Sequence, residues 1–116
     1  MVLCDKALLD EVTSRVCAAA KEVLGGKLKK VILYGSYARG DYNEDSDIDF
    51  FVLADIPQEE CCRAGSNIYH RVSMFELEQG IMISPHVTGY ETFISWRNVL
   101  PYYMNVIKEG IELYAA

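Results

Sequence analysis

The sequence predicts an α/β (α+β) fold in which a small mixed sheet of three to four strands carries helices mainly on one face. Two runs rich in apolar residues, 31–34 and 47–54, have the length and composition of covered strands. Two longer stretches, 5–24 and 57–79, repeat apolar residues at steps of three and four, which is typical of amphipathic helices. Because the second of these helices connects strands, we expect a mixed or mainly parallel sheet.

Residues that suit helix boundaries lie at both ends of each long helix. Asp5 can cap the first helix, and Gly25-Gly26 ends it. Pro57 suits the first position of the second long helix, and Gly80 closes it.

The last third of the chain predicts shorter elements. Residues 81–84 have the pattern of a third strand, which Pro85 is expected to cut short. Residues 89–98 and 101–109 have the pattern of two short helices. The final apolar stub, 110–114, is interpreted as a short edge strand.

The composition is that of one ordinary globular domain, which we expect to span residues 1–116. Hydrophobic residues make up 51% and charged residues 24% of the chain, as in soluble proteins. Since no run approaches the ~20 apolar residues of a membrane span and no secretory signal is visible, we expect a cytoplasmic protein without membrane contact. The four cysteines lack metal-ligand spacing and are expected to be reduced thiols.

The charge argues against strong nucleic-acid binding. The formal net charge is −6, whereas binding to the phosphate backbone needs a basic face. One basic cluster precedes the first strand and is interpreted as a solvated connection, although attraction of a triphosphate is an alternative. Its members are Lys27, Lys29 and Lys30.

The first strand ends in Gly35-Ser36, at the start of a short helix that Gly40 is expected to stop. Gly35 permits a tight turn whose backbone can approach a ligand closely, and Ser36 lies where an N-cap residue would lie. Backbone N–H groups, a hydroxyl and a positive dipole end are what a phosphate site requires. Gly35 and Ser36 are therefore predicted to bind phosphate.

Two residues of the same short helix have alternative interpretations. Arg39 either contacts a phosphate or ties the following loop down by pairing with Asp41 or Glu44. Tyr37 either flanks a nucleotide base or packs against its neighbours.

The second strand opens on two acids. In a strand, the period of two places Asp47 and Asp49 on one face, where their carboxylates can converge on one hard cation. Two acids at the start of so apolar a strand cost free energy unless a divalent metal compensates them. A phosphate site beside this pair suggests Mg²⁺-assisted transfer from a nucleoside triphosphate.

These motifs together resemble the signature of the DNA polymerase beta-type nucleotidyltransferase superfamily. Gly-Ser or Asp-x-Asp alone is a weak signal, but GSYARG followed by SDIDFFV, each attached to a predicted strand, is specific. The fuller pattern and the short chain resemble the minimal nucleotidyltransferases, a small bacterial branch. The resemblance implies the nucleotidyltransferase fold and catalytic, metal-binding aspartates at Asp47 and Asp49. It also implies nucleotide binding by Gly35, Ser36 and Arg39.

The same resemblance implies cofactors and partners. It implies Mg²⁺, with Mn²⁺ as a substitute, and a nucleoside triphosphate, with ATP favoured. Members of this branch often pair with a helical HEPN-type toxin, which some of them neutralise by adenylylating a tyrosine. A chain this short offers no second domain for an acceptor, so we expect acceptor recognition to come from a partner or from a second copy in a homo-oligomer.

One departure from the superfamily concerns a third acid, which its members carry on the neighbouring strand. Here that strand corresponds to 81–87 and contains no Asp or Glu. By alternation Met82, Ser84 and His86 share a face, and Ser84 is the best candidate for the third position. A neutral hydroxyl is a poor Mg²⁺ ligand and no base near pH 7. His86 could accept a proton, but Pro85 leaves its direction open.

Two hypotheses follow. In the first, the protein is an enzyme that moves a nucleoside monophosphate from a Mg²⁺-bound triphosphate to an acceptor hydroxyl and releases pyrophosphate. In the second, it is a weakly active or inactive module that binds nucleotide or only a partner protein. Retention of both aspartates favours the enzyme, whereas the vacant third position favours the binding module.

Overall fold

Helices and strands follow one another along the chain largely as predicted. The computed structural model describes residues 5–116, so Cys4 and its predicted reduced thiol lie outside the described residues. The described helices are α1 (Lys6–Leu24), α2 (Ser36–Arg39), α3 (Gln58–Gln79), α4 (Tyr90–Trp96) and α5 (Pro101–Glu109). The described strands are β1 (Leu28–Tyr34), β2 (Ile48–Ala54), β3 (Ile83–Gly89) and β4 (Ile111–Ala115).

The ends of the long helices are set by local hydrogen bonds. The Asp5 carboxylate accepts the Leu8 N–H at 2.8 Å and caps α1, as predicted. Gly80 ends α3, and its N–H donates to the carbonyls of Glu76 and Leu77. Pro57 occupies the N-cap position of α3, one residue before the first helical position that the sequence suggested.

The four strands form one mixed sheet in the order β3-β2-β1-β4. The central pair, β1 and β2, is antiparallel, and β4 is antiparallel to β1 on the other side. The one parallel pair in this sheet is β2 with β3, and α3 provides the crossover between them. The prediction of a mixed sheet is confirmed, and the final stub is an edge strand.

The two faces of the sheet are covered to different extents. The two long helices, α1 and α3, pack on one face around buried residues such as Val16, Ile68 and Phe50. The short helices α4 and α5 pack on the opposite face around Phe51 and Phe93. Strand alternation explains the division, because neighbouring residues of β2 point to opposite faces. The larger core lies beneath the long helices, as the sequence predicted.

Pro85 does not end the third strand, and that prediction is wrong. The strand β3 continues through Pro85 to Gly89 and pairs only with β2, which makes it an edge strand. The N–H groups of Ile83 and Gly89, at even steps from Pro85, donate to the side chains of Glu76 and Gln58 on α3. Proline at this parity therefore removes no hydrogen bond to β2.

No helix among residues 5–116 is both long enough and apolar enough to cross a membrane.

Candidate active site

The turn after β1 brings the backbone against an acidic side chain. Gly35 has a φ of +76°, a conformation that favours glycine. A Cβ atom built on Gly35 would lie 2.6 Å from Oδ2 of Asp49. The Gly-Ser turn and the acid therefore face each other directly, which is the arrangement that the motif spacing suggests.

Ser36 is the first residue of the short helix α2. The N-cap position belongs to Gly35, so the interpretation of Ser36 as an N-cap residue is wrong. The helix is a single turn, and the N–H groups of Ala38 and Arg39 donate to the Gly35 carbonyl at 3.1 Å. Tyr37 is 6% exposed and stacks on Tyr42 with ring centroids 4.1 Å apart, so the packing interpretation describes its position.

The acid pair begins one residue before β2. Asp47 precedes the strand, whose first residue is Ile48, so Asp49 is its one acidic member. A turn closed by Asn43 and Ser46 leads into Asp47: the Asn43 N–H donates to Ser46 Oγ at 2.9 Å, and the Ser46 N–H donates to the Asn43 carbonyl at 3.0 Å. This loop is therefore ordered by its own polar residues.

Burial raises the pKa of the Asp49 carboxyl, and the negative charge of Asp47 raises it further. His86 and Arg39 act in the opposite direction without cancelling these effects. The pair thus carries negative charge that the surrounding side chains compensate only in part.

One row of side chains crosses three strands at this point. Tyr34 of β1 lies opposite Asp49, and Ser84 of β3 lies beside Asp49 in register. Residues in register point to the same face of a sheet, so the Ser84 side chain neighbours the Asp49 carboxylate. Since β3 continues through Pro85, His86 lies on the same face as Ser84, in register with Phe51. Met82 precedes the strand.

A pair of tyrosine hydroxyls lies beside this row. The Oη atoms of Tyr34 and Tyr102 are 2.9 Å apart, and their rings meet edge to face at 5.8 Å. Burial raises the pKa of Tyr34 most strongly, followed by the bond to Tyr102 and the charge of Asp49. Burial and the charge of Asp49 also raise the pKa of Tyr102, against the effect of the bond with Tyr34. Both hydroxyls therefore lie within the electric field of the Asp49 carboxylate.

Arg39 pairs with two carboxylates. Its Nε lies 3.1 Å from Asp41 Oδ2, and its Nη1 lies 3.2 Å from Glu109 Oε2 on α5. These contacts are what the loop-tying interpretation describes, with Asp41 rather than Glu44 as the partner. Arg39 also lines, with Tyr34, Gly35 and Tyr102, a cavity of about 230 Å³ between the Gly-Ser turn and α5.

The donor set fits one kind of metal site. Across residues 5–116, no three His, Cys, Asp or Glu side chains are grouped closely enough to hold an ion. Mg²⁺, however, commonly keeps several waters and binds through one or two carboxylates together with substrate phosphates. Asp47 and Asp49, whose charge is only partly compensated, fit an ion that arrives with a triphosphate rather than one held by the protein alone.

A family model described as a nucleotidyltransferase domain matches residues 15–102, more than half of the chain. The chain therefore belongs to the nucleotidyltransferase domain family, and the recognition from GSYARG and SDIDFFV is confirmed.

Two curated relatives come from Methanocaldococcus jannaschii. The protein named "Putative protein adenylyltransferase MJ0604" is 35% identical over 99 residues, which cover 83% of this chain and 88% of that protein. The protein named "Putative protein adenylyltransferase MJ0141" is 41% identical over 63 residues, covering 54% of this chain and 62% of that protein.

Solved structures share the fold. A structure described as "Structure of putative minimal nucleotidyltransferase" superposes with a TM-score of 0.56 at 20% identity, covering 92% of this chain and 94% of that chain. A chain of "Crystal structure of the toxin-antitoxin with AMP-PNP" superposes with a TM-score of 0.56 at 16% identity, covering 90% and 73%. The predicted nucleotidyltransferase fold is thereby confirmed.

Sequence reasoning missed both tyrosines of the site region. Tyr34 directly precedes the Gly-Ser turn, at the end of β1. Strand alternation could have placed its side chain on the face that carries Asp49. Tyr102 follows Tyr34 by 68 positions, and no local pattern signals that their hydroxyls meet.

Proposed function

We propose that this protein is a metal-dependent nucleotidyltransferase that moves a nucleoside monophosphate, AMP in the first instance, from a triphosphate to an acceptor hydroxyl. The observation that carries the proposal is that the Asp49 carboxylate lies so near Gly35 that a Cβ atom on this residue would be 2.6 Å from Oδ2. A turn suited to phosphate and an acid pair suited to a hard cation therefore border the same space. The names of the curated relatives support adenylyl transfer as the reaction.

Each residue of the site has a proposed task. Asp47 and Asp49 would hold Mg²⁺ or Mn²⁺, which when bound neutralises charge on the triphosphate and on the departing pyrophosphate. Gly35 and Ser36 would position the phosphates through backbone N–H groups and the hydroxyl. Arg39 would add a positive charge once a phosphate competes with its present carboxylate partners.

Ser84 would complete the row without acting as a base. Its neutral hydroxyl can donate a hydrogen bond to a phosphate oxygen or to a bound water, but it takes no proton near pH 7. Catalysis would then depend mainly on positioning and charge neutralisation, which supply most of the rate enhancement in phosphoryl and nucleotidyl transfer.

The acceptor hydroxyl is proposed to lie on a partner protein. One similar structure is a toxin–antitoxin with AMP-PNP, and the sequence resemblance implies a helical HEPN-type partner. The alternative function is a nucleotide- or partner-binding module with little or no turnover. Two observations favour it: the lack of a third acid beside Asp47 and Asp49 within residues 5–116, and the occupation of Arg39 by Asp41 and Glu109.

The test combines binding and transfer. Purified protein is incubated with Mg²⁺ and labelled ATP, with and without the product of an adjacent gene as candidate acceptor. We expect covalent label that Asp49→Asn reduces by roughly a hundredfold or more, and that the matched exposed variant Asp55→Asn leaves unchanged. Mg²⁺-dependent ATP binding without transfer to any acceptor would establish the binding module instead. The absence of both ATP binding and transfer would refute the enzyme and the nucleotide-binding module, and would leave a module that binds only a partner protein.

A further inference from the structure

Tyr102, a residue that is 42% exposed, lies at the edge of the candidate active site. Its Oη lies 2.9 Å from that of Tyr34, which is paired in register with Asp49. Tyr102 also lines the cavity of about 230 Å³ to which Gly35 and Arg39 contribute. Two of the residues proposed to bind phosphate, Gly35 and Arg39, therefore border the same space as Tyr102.

The ring of Tyr102 contacts the small core, with its centroid 6.1 Å from that of Phe51 and 5.5 Å from that of Tyr103, but the side chain is not buried in it. The next residue, Tyr103, is 8% exposed and belongs to the small core with Phe51 and Phe93, whereas Tyr102 is 42% exposed. The α5 helix thus fills the core with Tyr103 and directs Tyr102 toward the acid pair. The ion pair between Arg39 and Glu109 holds the same helix against the Gly-Ser turn.

We propose that Tyr102 is an internal acceptor: when no partner is bound, the site transfers a nucleoside monophosphate from its triphosphate to Tyr102 Oη of the same chain. This inference rests on the proposed function and names an acceptor for it. The acceptor is Tyr102 rather than Tyr34, because Tyr34 is fixed in the central strand β1 and its side chain is less exposed than that of Tyr102. Tyr102 lies in the first turn of a short surface helix.

The step conserves atoms and charge without any oxidant or reductant. Tyr102 Oη forms a bond to the α-phosphorus of the triphosphate, while the bond from that phosphorus to the oxygen bridging the β-phosphate breaks. Pyrophosphate leaves with the electron pair of the broken bond. The phenolic proton passes to solvent, and the Tyr34 hydroxyl, 2.9 Å away, can donate a hydrogen bond to the Tyr102 oxygen as that proton leaves. One nucleotide per chain is the limit, since the modified side chain occupies the cavity.

The experiment follows the mass of the intact chain. Purified protein is incubated alone with ATP and Mg²⁺ or Mn²⁺, and the modified peptide is identified by fragmentation. We expect the mass of one AMP to be added, on the peptide that contains Tyr102. Tyr102→Phe should abolish the adduct, whereas Tyr90→Phe, a control at a similarly exposed tyrosine (38%) on α4, should keep it. Asp49→Asn should lower its rate by roughly a hundredfold or more.

Transfer within one chain predicts a rate constant that does not change on dilution. In a mixture of wild-type protein and a tagged Asp49→Asn chain, the tagged chain should stay unmodified. An adduct on any other residue, or equal labelling of the tagged chain, overturns the proposal.

The same measurements distinguish failure of the internal transfer from failure of the proposed function. If wild-type protein binds Mg²⁺-ATP or labels a partner but gains no AMP on Tyr102, internal transfer is overturned and the proposed function stands. If it neither binds Mg²⁺-ATP nor transfers label, both are overturned.

Discussion

Two features of the structure exclude a side chain at position 35, the backbone conformation and the nearness of Asp49. The Gly35 φ of +76° strains any L-residue, and a Cβ atom would lie 2.6 Å from the Asp49 carboxylate. We expect Gly35→Ala to lower the free energy of unfolding by about 2 kcal/mol or more, because strain and displacement of Asp49 add. Urea unfolding measures the loss, and the same variant should no longer bind Mg²⁺-ATP.

Gly40→Ala is the matched control for this prediction. Gly40 also has a positive φ, +87°, but a Cβ atom there would meet nothing within 4 Å. It should cost only the conformational strain, about 1 kcal/mol, and leave nucleotide binding intact. Equal losses in the two variants would show that the approach to Asp49 contributes nothing.

Asp49 is a residue whose environment opposes its charge. Burial and Asp47 raise the pKa of this carboxyl above its unfolded value, so its ionised form is destabilised in the fold. Stability should therefore rise as the pH falls through the folded pKa, and at neutral pH Asp49→Asn should stabilise the metal-free protein. The expected gain is no more than about 1 kcal/mol, measured by urea unfolding in EDTA.

Asp55→Asn provides the comparison, since Asp55 is exposed at the far end of β2 and should change stability by less than about 0.5 kcal/mol. A lower stability of Asp49→Asn without metal would mean that the carboxylate is already compensated. Retained Mg²⁺-ATP binding in that variant would remove Asp49 from the metal site.

Local residue patterns do not predict the contact of Tyr34 with Tyr102 or that of Arg39 with Glu109. Alternation and turn chemistry placed Gly35 and Asp49 correctly, because both follow from local spacing along adjacent strands. The partners Tyr102 and Glu109 are 68 and 70 positions away from Tyr34 and Arg39. Such pairs depend on how α5 folds back across the sheet. The hydrophobic periodicity of the sequence does not predict that placement.

At the scale of elements, β3 shows how a helix protects an edge strand. The Glu76 carboxylate on α3 accepts the Ile83 N–H at 2.8 Å and also the Tyr69 hydroxyl. Glu76→Ala leaves the partly buried N–H without this partner and should cost about 1–3 kcal/mol in urea unfolding. Exposed edges of this kind otherwise invite pairing with other chains.

Glu78, exposed on the same helix, is the control. Glu78→Ala should stay within about 0.5 kcal/mol of the wild type. If Glu76→Ala and Glu78→Ala lose the same stability, helix propensity or surface charge explains the loss, and the hydrogen bond from Ile83 N–H to Glu76 does not.

The error at Pro85 follows from the same geometry. A proline in a run of strand-forming residues normally indicates that the strand ends there. The sequence does not reveal whether the strand lies at the edge of the sheet, where proline is tolerated. Here α3 side chains accept the Ile83 and Gly89 N–H groups on the outer side of β3, so Pro85, on the same side, removes no hydrogen bond to β2. The position at which β3 ends consequently depends on contacts made by Gln58 and Glu76, which lie outside the strand.

At the scale of the molecule, helix periodicity predicted the larger core and its long helices, because both depend on apolar stripes within one element. The placement of α4 and α5 on the opposite face was not predicted in the same detail. Their short length gives only two turns of pattern each, and the small core contains one buried residue of α4, Phe93. Strand order likewise required the tertiary structure.

At the scale of the whole molecule, the net charge of −6 leads us to expect that the nucleotide binding proposed above is strengthened by a metal ion. Two basic residues of β1 are already engaged, since Lys30 pairs with Glu112 at 3.3 Å and Lys29 lies over the Tyr90 ring. A triphosphate without metal thus approaches a surface of like charge, beside the acids Asp47 and Asp49.

Titration calorimetry should therefore find ATP in EDTA bound at least about tenfold more weakly than Mg²⁺-ATP, a difference of about 1.4 kcal/mol. Added NaCl, up to about 0.15 M, should strengthen the metal-free binding because it screens repulsion between like charges. In the double variant Asp47→Asn with Asp49→Asn, the metal should no longer increase affinity, because the carboxylates that share the ion are absent. Equal affinities of wild-type protein with and without Mg²⁺ would contradict a shared metal and would leave the acid pair without a role in nucleotide binding.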